Sequence, residues 1–243
     1  METSNGAGLV PEKPRGAEFP RSERTRVRRL PQRASYDRDA VYGVLDAGLV
    51  AHVGYLRGGE PVVLPFAYAR VGDEIVLHGS TRAGLLEAMA DGQRICLSVT
   101  HLDGLVLARS AFHHSVNYRS ATVFGRARVL ESEEEKDRAL AAFTEKIVPG
   151  RWDEVRPPTP KELRATTVVA LAIEEAVAKA RSGGPLDDAE DLELPVWAGV
   201  IPLALVPGEP VADPALPPGI PATETIELVR EARRRAAPIA EAV

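Results

Sequence analysis

Between residues 49 and 80, three short apolar runs are joined by turns too tight for anything but a reversal of the chain. Arg57-Gly58-Gly59-Glu60 places two glycines between the first two runs. A two-residue hairpin of this kind needs positive φ at both central positions, which glycine adopts without steric cost. Pro61 stands at the mouth of the second run, where a missing N–H costs least, and Val71-Gly72-Asp73 turns the chain again. Three strands within about thirty residues form an antiparallel meander. Further on, residues 94–100, 105–111 (after an Asp103-Gly104 turn), 116–130 and 195–206 read as strands. Gly125 interrupts the longest as a bulge or bend. Residues 167–182 alternate at Val169, Leu171 and Ile173 like a strand, although their alanines and glutamates also suit a helix. About seven strands with few helices favour a mainly β fold, a closed β-barrel with peripheral helices, because closure removes exposed edges.

Helices are expected at 37–46, where Val41, Val44 and Leu45 share a face, and at 80–90. Another is expected after Ser132, opened by a capping box with Glu135 and carrying Leu140, Phe143 and Ile147 on its core face. Thr159 with Pro160 caps a shorter one. Residues 1–30 read as a flexible basic N-terminal arm and 31–206 as the folded domain. Residues 207–243, with seven prolines, read as an extended C-terminal tail holding one short helix near 223–235, free or wrapped on a partner subunit.

A net charge of −5 argues against a nucleic-acid binder. The basic run from Arg21 to Arg29 is more simply a solvated lead-in packed on an acidic body than an anion-binding arm, since no aromatics interleave it. A single cysteine, Cys96, excludes an internal disulfide and a cysteine-built zinc site. No signal-like stretch opens the chain and no apolar run reaches the roughly 18 residues a membrane span needs, so the expected location is cytoplasmic.

Two segments concentrate chemistry. At Leu77-His78-Gly79-Ser80-Thr81-Arg82 a strand ends, glycine turns the chain and a helix is expected to begin. Unpaired N–H groups, a hydroxyl and a guanidinium there suit a phosphate, while a plain N-cap is the commoner role for Ser80 or Thr81. Ser110 to Ser120 packs two histidines, an asparagine, an arginine and three serines into eleven residues. Polar density of that kind in a barrel wall needs partners, and a ligand rich in hydrogen-bonding groups would supply them. Adjacent His113 and His114 point to opposite faces of a strand, and no carboxylate set completes a metal site, so no metal is expected. Asp187 to Asp191 reads as a solvated acidic loop. Trp197 is a core residue by default or a ring stacked near a planar ligand. No dinucleotide fingerprint, Walker loop, metalloprotease helix or nucleophile elbow occurs.

The chain resembles the pyridoxamine-phosphate-oxidase-like flavoproteins, including the flavin-nucleotide-binding proteins and Nim-type nitroimidazole reductases. The resemblance spans about residues 26–205. It is carried by Arg28-Arg29-Leu30-Pro31, Tyr36-Asp37, Leu45-Asp46, Leu77-His78-Gly79-Ser80 and the run from Leu102 to Ser110. His114-Ser115-x-Asn117-Tyr118-Arg119-Ser120, Pro149-Gly150-Arg151-Trp152, Lys179-x-Arg181 and Val196-Trp197-Ala198-Gly199-Val200-x-Pro202 continue it. It implies an FMN-binding split barrel that forms a homodimer, with a flavin mononucleotide at each subunit boundary. By position, Val63 and Leu64 would line the isoalloxazine ring. His78, Ser80 and Arg82 would hold the phosphate, Asn117, Arg119 and Ser120 would contribute from the long strand, and Trp197 would cover the ring. The substrate-binding arginine-histidine pair of true pyridoxamine-phosphate oxidases is missing; Pro202 and Leu203 stand in its place. The implied activity is an oxidoreductase taking electrons from NAD(P)H to a small, for example nitro-aromatic, acceptor. Non-catalytic flavin or haem binding, with His78, His113 or His114 as an axial ligand, and a deazaflavin-dependent reductase are the alternatives.

Overall fold

The computed structural model describes residues 17–80 and 92–236; residues 81–90 of the helix expected at 80–90, residues 1–16 of the arm and 237–243 of the tail lie outside them, and Ser80, the expected helix start, ends a strand. Within those residues the fold is mainly β, a ten-stranded antiparallel sheet with a few helices. In chain order the elements are β1 (Ala34–Ser35), α1 (Arg38–Ala47), β2 (Val50–Arg57), β3 (Glu60–Ala67), β4 (Ala69–Val71) and β5 (Glu74–Ser80). There follow β6 (Arg94–Leu107), β7 (Ser115–Val129), α2 (Glu133–Ile147), α3 (Pro160–Ala165), β8 (Thr166–Ala172), β9 (Glu175–Arg181), β10 (Gly199–Pro202) and α4 (Glu224–Ala236). No helix among the described residues is long and apolar enough to cross a membrane.

The long strands β6 and β7 are the spine. They pair with each other over nearly their whole length, and each then shares its outer edge between two strands set end to end. On β6 the first half holds β2 and the second half holds β10. On β7 the middle holds β9 and the end holds β8. β8 in turn carries β5 and β4. The ladder therefore branches and does not close: β3 and β4 end the path without pairing to each other. Closed-barrel reasoning assumes one partner per strand edge, and 14- and 15-residue strands break that assumption.

Other local details depart from the pattern-based reading. Asp103-Gly104 is no turn. β6 runs through it, with a register shift between Leu102 and Gly104 that makes Asp103 the extra residue of a bulge. Gly125 pairs with Ile95 in unbroken register, so it is not a bulge. The 167–182 segment is two strands, joined at Ile173 and Glu174, that pair with different partners. The last strand is only Gly199–Pro202.

Pairing places cross-strand neighbours on one face. Leu64, Val53, Leu97, Val123 and Ala176 form one inward row across five strands. Val41 and Leu45 of α1 pack on the core that this row helps to build, and Asp37 caps that helix by accepting from the Ala40 amide at 3.0 Å. A second cluster, outside the sheet at β4, β5 and β8, is covered by Ala139, Leu140 and Phe143 of α2. The folded body starts before residue 31. Phe19 is buried, its amide donates to the Tyr36 carbonyl at 2.8 Å, and its ring lies 4.0 Å from the Arg38 guanidinium. Arg24 and Ser22 both bind the Glu175 carboxylate, so the basic stretch is packed on the acidic body at that point. Those contacts hold the Glu175 carboxyl below the usual carboxylate range, the Arg24 hydrogen bond foremost. Arg38 is itself buried and donates to Asp73 at 2.9 Å, with the Tyr42 hydroxyl on the same carboxylate. Burial first, and then that hydrogen bond, push the Tyr42 hydroxyl up to about 12.

A Cβ on Gly125 would lie 1.8 Å from the Ala172 carbonyl oxygen. Gly125→Ala is therefore expected to destabilise by about 1–3 kcal/mol or more, as a backbone must move to admit one methyl. Gly43 in α1 has nothing within 4 Å of its notional Cβ, and Gly43→Ala is expected to stabilise by roughly 0.5–1 kcal/mol. Urea-unfolding midpoints of the two variants should move in opposite directions.

Candidate functional site

The sheet face opposite the core is the first candidate surface. Two rows cross it: Val63, Gly54, Cys96 and Phe124; and Pro65, His52, Ser98 and Thr122. Thr100 and Ser120 pair beside them. Val63 is 63% exposed, and no helix among the described elements covers this part of the face. An apolar edge next to a hydroxyl-rich stripe is chemically suited to a flat ligand with one apolar and one hydrogen-bonding part.

The expected site residues distribute over the molecule as follows. Val63 and Leu64 are both on β3 but leave opposite faces, Val63 outward and Leu64 on the inward row at 37% exposure. One flat ring would touch both only by crossing the sheet edge. His78 and Ser80 close β5, paired with Val168 and Thr166 of β8. His78 turns to the α2 side, its ring edge-on to Phe143 at 4.3 Å between centroids, and burial lowers its pKa below the usual histidine value. Arg82 lies outside the described residues.

On β7, Asn117 and Arg119 share the face of Ala121, and Ser120 leaves the other. Arg119 makes a two-pronged pair with Asp103, the bulge residue of β6, at 2.9 and 2.8 Å. That hydrogen bond holds the guanidinium above its ordinary range. The Ser120 hydroxyl donates to the Lys179 carbonyl at 3.1 Å. Trp197 is 65% exposed, and its ring lies over Gly199, where a Cβ would come within 2.9 Å of it. Among the histidines of the polar segment, His113 faces Asp188 at 3.2 Å, and His114 keeps its Nδ1 2.9 Å from the Ser110 carbonyl. The Arg109 Nε, just before this segment, and the Ser110 hydroxyl are buried without a hydrogen-bond partner among the described residues. No group of three or more potential metal ligands occurs among the described residues.

Sequence reading assigned no role to Arg181, yet Asn117 is organised around it. The Arg181 guanidinium is buried and donates to Asn117 Oδ1, to the Gly183 carbonyl at 3.1 Å and to the Gly184 carbonyl at 2.8 Å. Asn117 Nδ2 returns to the Gly183 carbonyl at 3.1 Å. All these acceptors are neutral. Arg33 lines the same cleft of about 500 Å³, with Gln32, Ser35, Ser182 and Gly183. Burial, and then the nearby Arg33 cation, lower the Arg181 pKa. The only early signal was the Lys179-x-Arg181 spacing; the neutral surroundings emerge from tertiary contacts alone.

Residues 37–180 match the family described as pyridoxamine 5'-phosphate oxidase. Among solved structures, the flavocytochrome Anf3 from Azotobacter vinelandii is 43% identical, with a TM-score of 0.82 over 87% of this chain and 98% of that one. A FAD and haem binding protein from Mycobacterium smegmatis is 40% identical, with a TM-score of 0.78 over 82% of this chain and 97% of that one. A candidate 5-nitroimidazole antibiotic resistance protein from Bacteroides thetaiotaomicron shares the fold at 19% identity, with a TM-score of 0.52 over 60% of this chain and 86% of that one. Nothing among curated proteins matches the chain.

Asn117→Ala removes an acceptor from a buried cation and should cost about 1–3 kcal/mol in denaturant unfolding. Arg119→Ala breaks a partly exposed pair and should cost about 1 kcal/mol or less. An equal loss in both would show that the two residues are not divided between support and surface in this way.

Proposed function

The chain belongs to the pyridoxamine 5'-phosphate oxidase family, and on that footing we propose that it is a flavin-binding redox protein acting as a homodimer. The observation that carries the reading is the pair of close relatives, one a flavocytochrome and one a FAD and haem binding protein, aligned along most of this chain. The sequence resemblance points to FMN; the relatives make FAD the alternative and haem a second cofactor. Residues of this chain fit a flavin. The exposed Val63 edge suits the ring, and the Ser98, Thr100, Ser120 and Thr122 stripe suits its polar rim. A second copy placed on the open outer face would exclude water from that surface. His78, Ser80 and Arg82 remain the proposed phosphate residues.

A haem would need an imidazole with one ring nitrogen free to bind the iron. His114 fits: its Nδ1 sits at a backbone carbonyl, an arrangement that fixes the ring and leaves Nε2 for a ligand. Phe112, 86% exposed, stands two residues away as apolar cover. The flavin, once bound, supplies electron transfer between reduced nicotinamide and a small acceptor. The chain supplies binding, orientation and exclusion of water. A strong acid or base is not required of it.

Mass spectrometry of the small molecules released from purified protein should find FMN or FAD. Protein that retains neither after reconstitution, and shows no visible flavin absorbance, overturns the reading. Cofactor competition followed by fluorescence quenching should favour flavin over deazaflavin. Arg82→Ala should weaken flavin affinity by about 1.5–3 kcal/mol, the worth of a charged hydrogen bond. Titration with haem should shift the Soret band, and His114→Ala should change that band more than His113→Ala or His78→Ala. Absence of any shift in the wild type removes haem from the proposal.

A further inference from the structure

We propose that the cleft between Arg33 and Arg181 is an anion site that takes a phosphate ester or diphosphate. The case rests on an uncompensated charge. Arg181 is buried, and every acceptor it reaches is neutral. Its three hydrogen bonds use both Nη1 hydrogens and one on Nη2, which leaves the Nε–H and the second Nη2–H without a partner among the described residues. Other arginines of the body that are comparably sequestered have carboxylates: Arg38 has Asp73, and Arg230 has Glu209 and Glu227.

Arg33, on the wall of the same cleft, makes no ion pair among the described residues. No aspartate or glutamate lines the cleft. Ser35 and Ser182 add hydroxyls, and the Ser182-Gly183-Gly184 segment adds backbone close to the opening without bulky side chains. Two cations facing one cavity repel each other unless an anion joins them, and the planar forks of arginine match phosphoryl oxygens two at a time. Asn117 is then a positioning residue. It holds Arg181 and the Gly183 carbonyl together, so that the guanidinium keeps one orientation.

The inference does not need the flavin reading, because the charge imbalance stands without any cofactor. Phosphoryl chemistry could come from the flavin itself, from a phosphorylated nicotinamide or from a separate phosphorylated ligand. The test separates these sources. Inorganic pyrophosphate, riboflavin, FMN, FAD, NADH and NADPH are titrated calorimetrically at low ionic strength into wild type, Arg33→Ala and Arg181→Lys. Arg33 is only half-buried, so Arg33→Ala should keep the wild-type melting temperature even if changes at Arg181 compromise folding.

Pyrophosphate affinity should fall at least tenfold in Arg33→Ala. A parallel fall for FMN or FAD with riboflavin unchanged assigns the site to the flavin phosphate. A fall for NADPH with NADH unchanged assigns it to the nicotinamide phosphate. A fall for pyrophosphate alone assigns it to another phosphorylated ligand. If wild type binds none of the phosphorylated probes, or folded Arg33→Ala binds all of them as wild type does, the site does not exist. Failure of every flavin to bind, with pyrophosphate binding intact and Arg33-dependent, would overturn the flavin reading and leave this one standing.

Discussion

The carbonyl of Ala172 sits where any side chain at position 125 would have to be, and the division of the sheet rests on that approach. Before Gly125, β7 lends its edge to β9; beyond it, the edge passes to β8. The chain between those two strands, Ile173 and Glu174, therefore passes directly over Gly125, and the Glu174 amide donates to the Phe124 carbonyl at 3.2 Å there. Only a residue without a Cβ lets two backbones meet this closely. One missing methyl thus permits a 15-residue strand to serve two neighbours, which turns a simple meander into a branched sheet.

Buried charge is handled differently in different parts of the molecule. Arg38 reaches Asp73 and the Tyr42 hydroxyl beneath Phe19, so α1, the β4–β5 turn and the residues preceding β1 are tied through one paired cation. Removing one member of such a pair is expensive, because the remaining charge is left in a poorly solvated place. Arg181 has no such carboxylate among the described residues. Its carbonyl and amide partners solvate the guanidinium without neutralising it. The contrast makes the first arginine a structural tie and the second a binding group.

The same division runs through the polar strand that carries Asn117, Arg119 and Ser120. Asn117 is spent on holding Arg181, Ser120 on its neighbouring strand, and Arg119 on the Asp103 bulge. These residues form an ordered wall beside a sheet face that no helix among the described elements covers. Under the proposed function the bound cofactor does the chemistry, and the chain's work is to present shape and charge in fixed positions.

Much of the local order was readable in the residues. Gly58 and Gly59 turn the first hairpin with φ of 59° and 86°. Asp37, Ser132 and Thr159 cap the helices that follow them, and 115–129 emerged as one long strand. Short-range signals of this kind work because turn and cap geometry depends on neighbours a few residues away. Tertiary structure alone decided which strand edges meet, that Asp103 is a bulge and not a turn, and which face of β3 turns to the core. It alone decided that Phe19 enters the core and that Arg181 meets no carboxylate among the described residues. Each of those depends on segments from about fifteen to well over a hundred residues apart, and no periodicity within one strand records which partner will lie across from it.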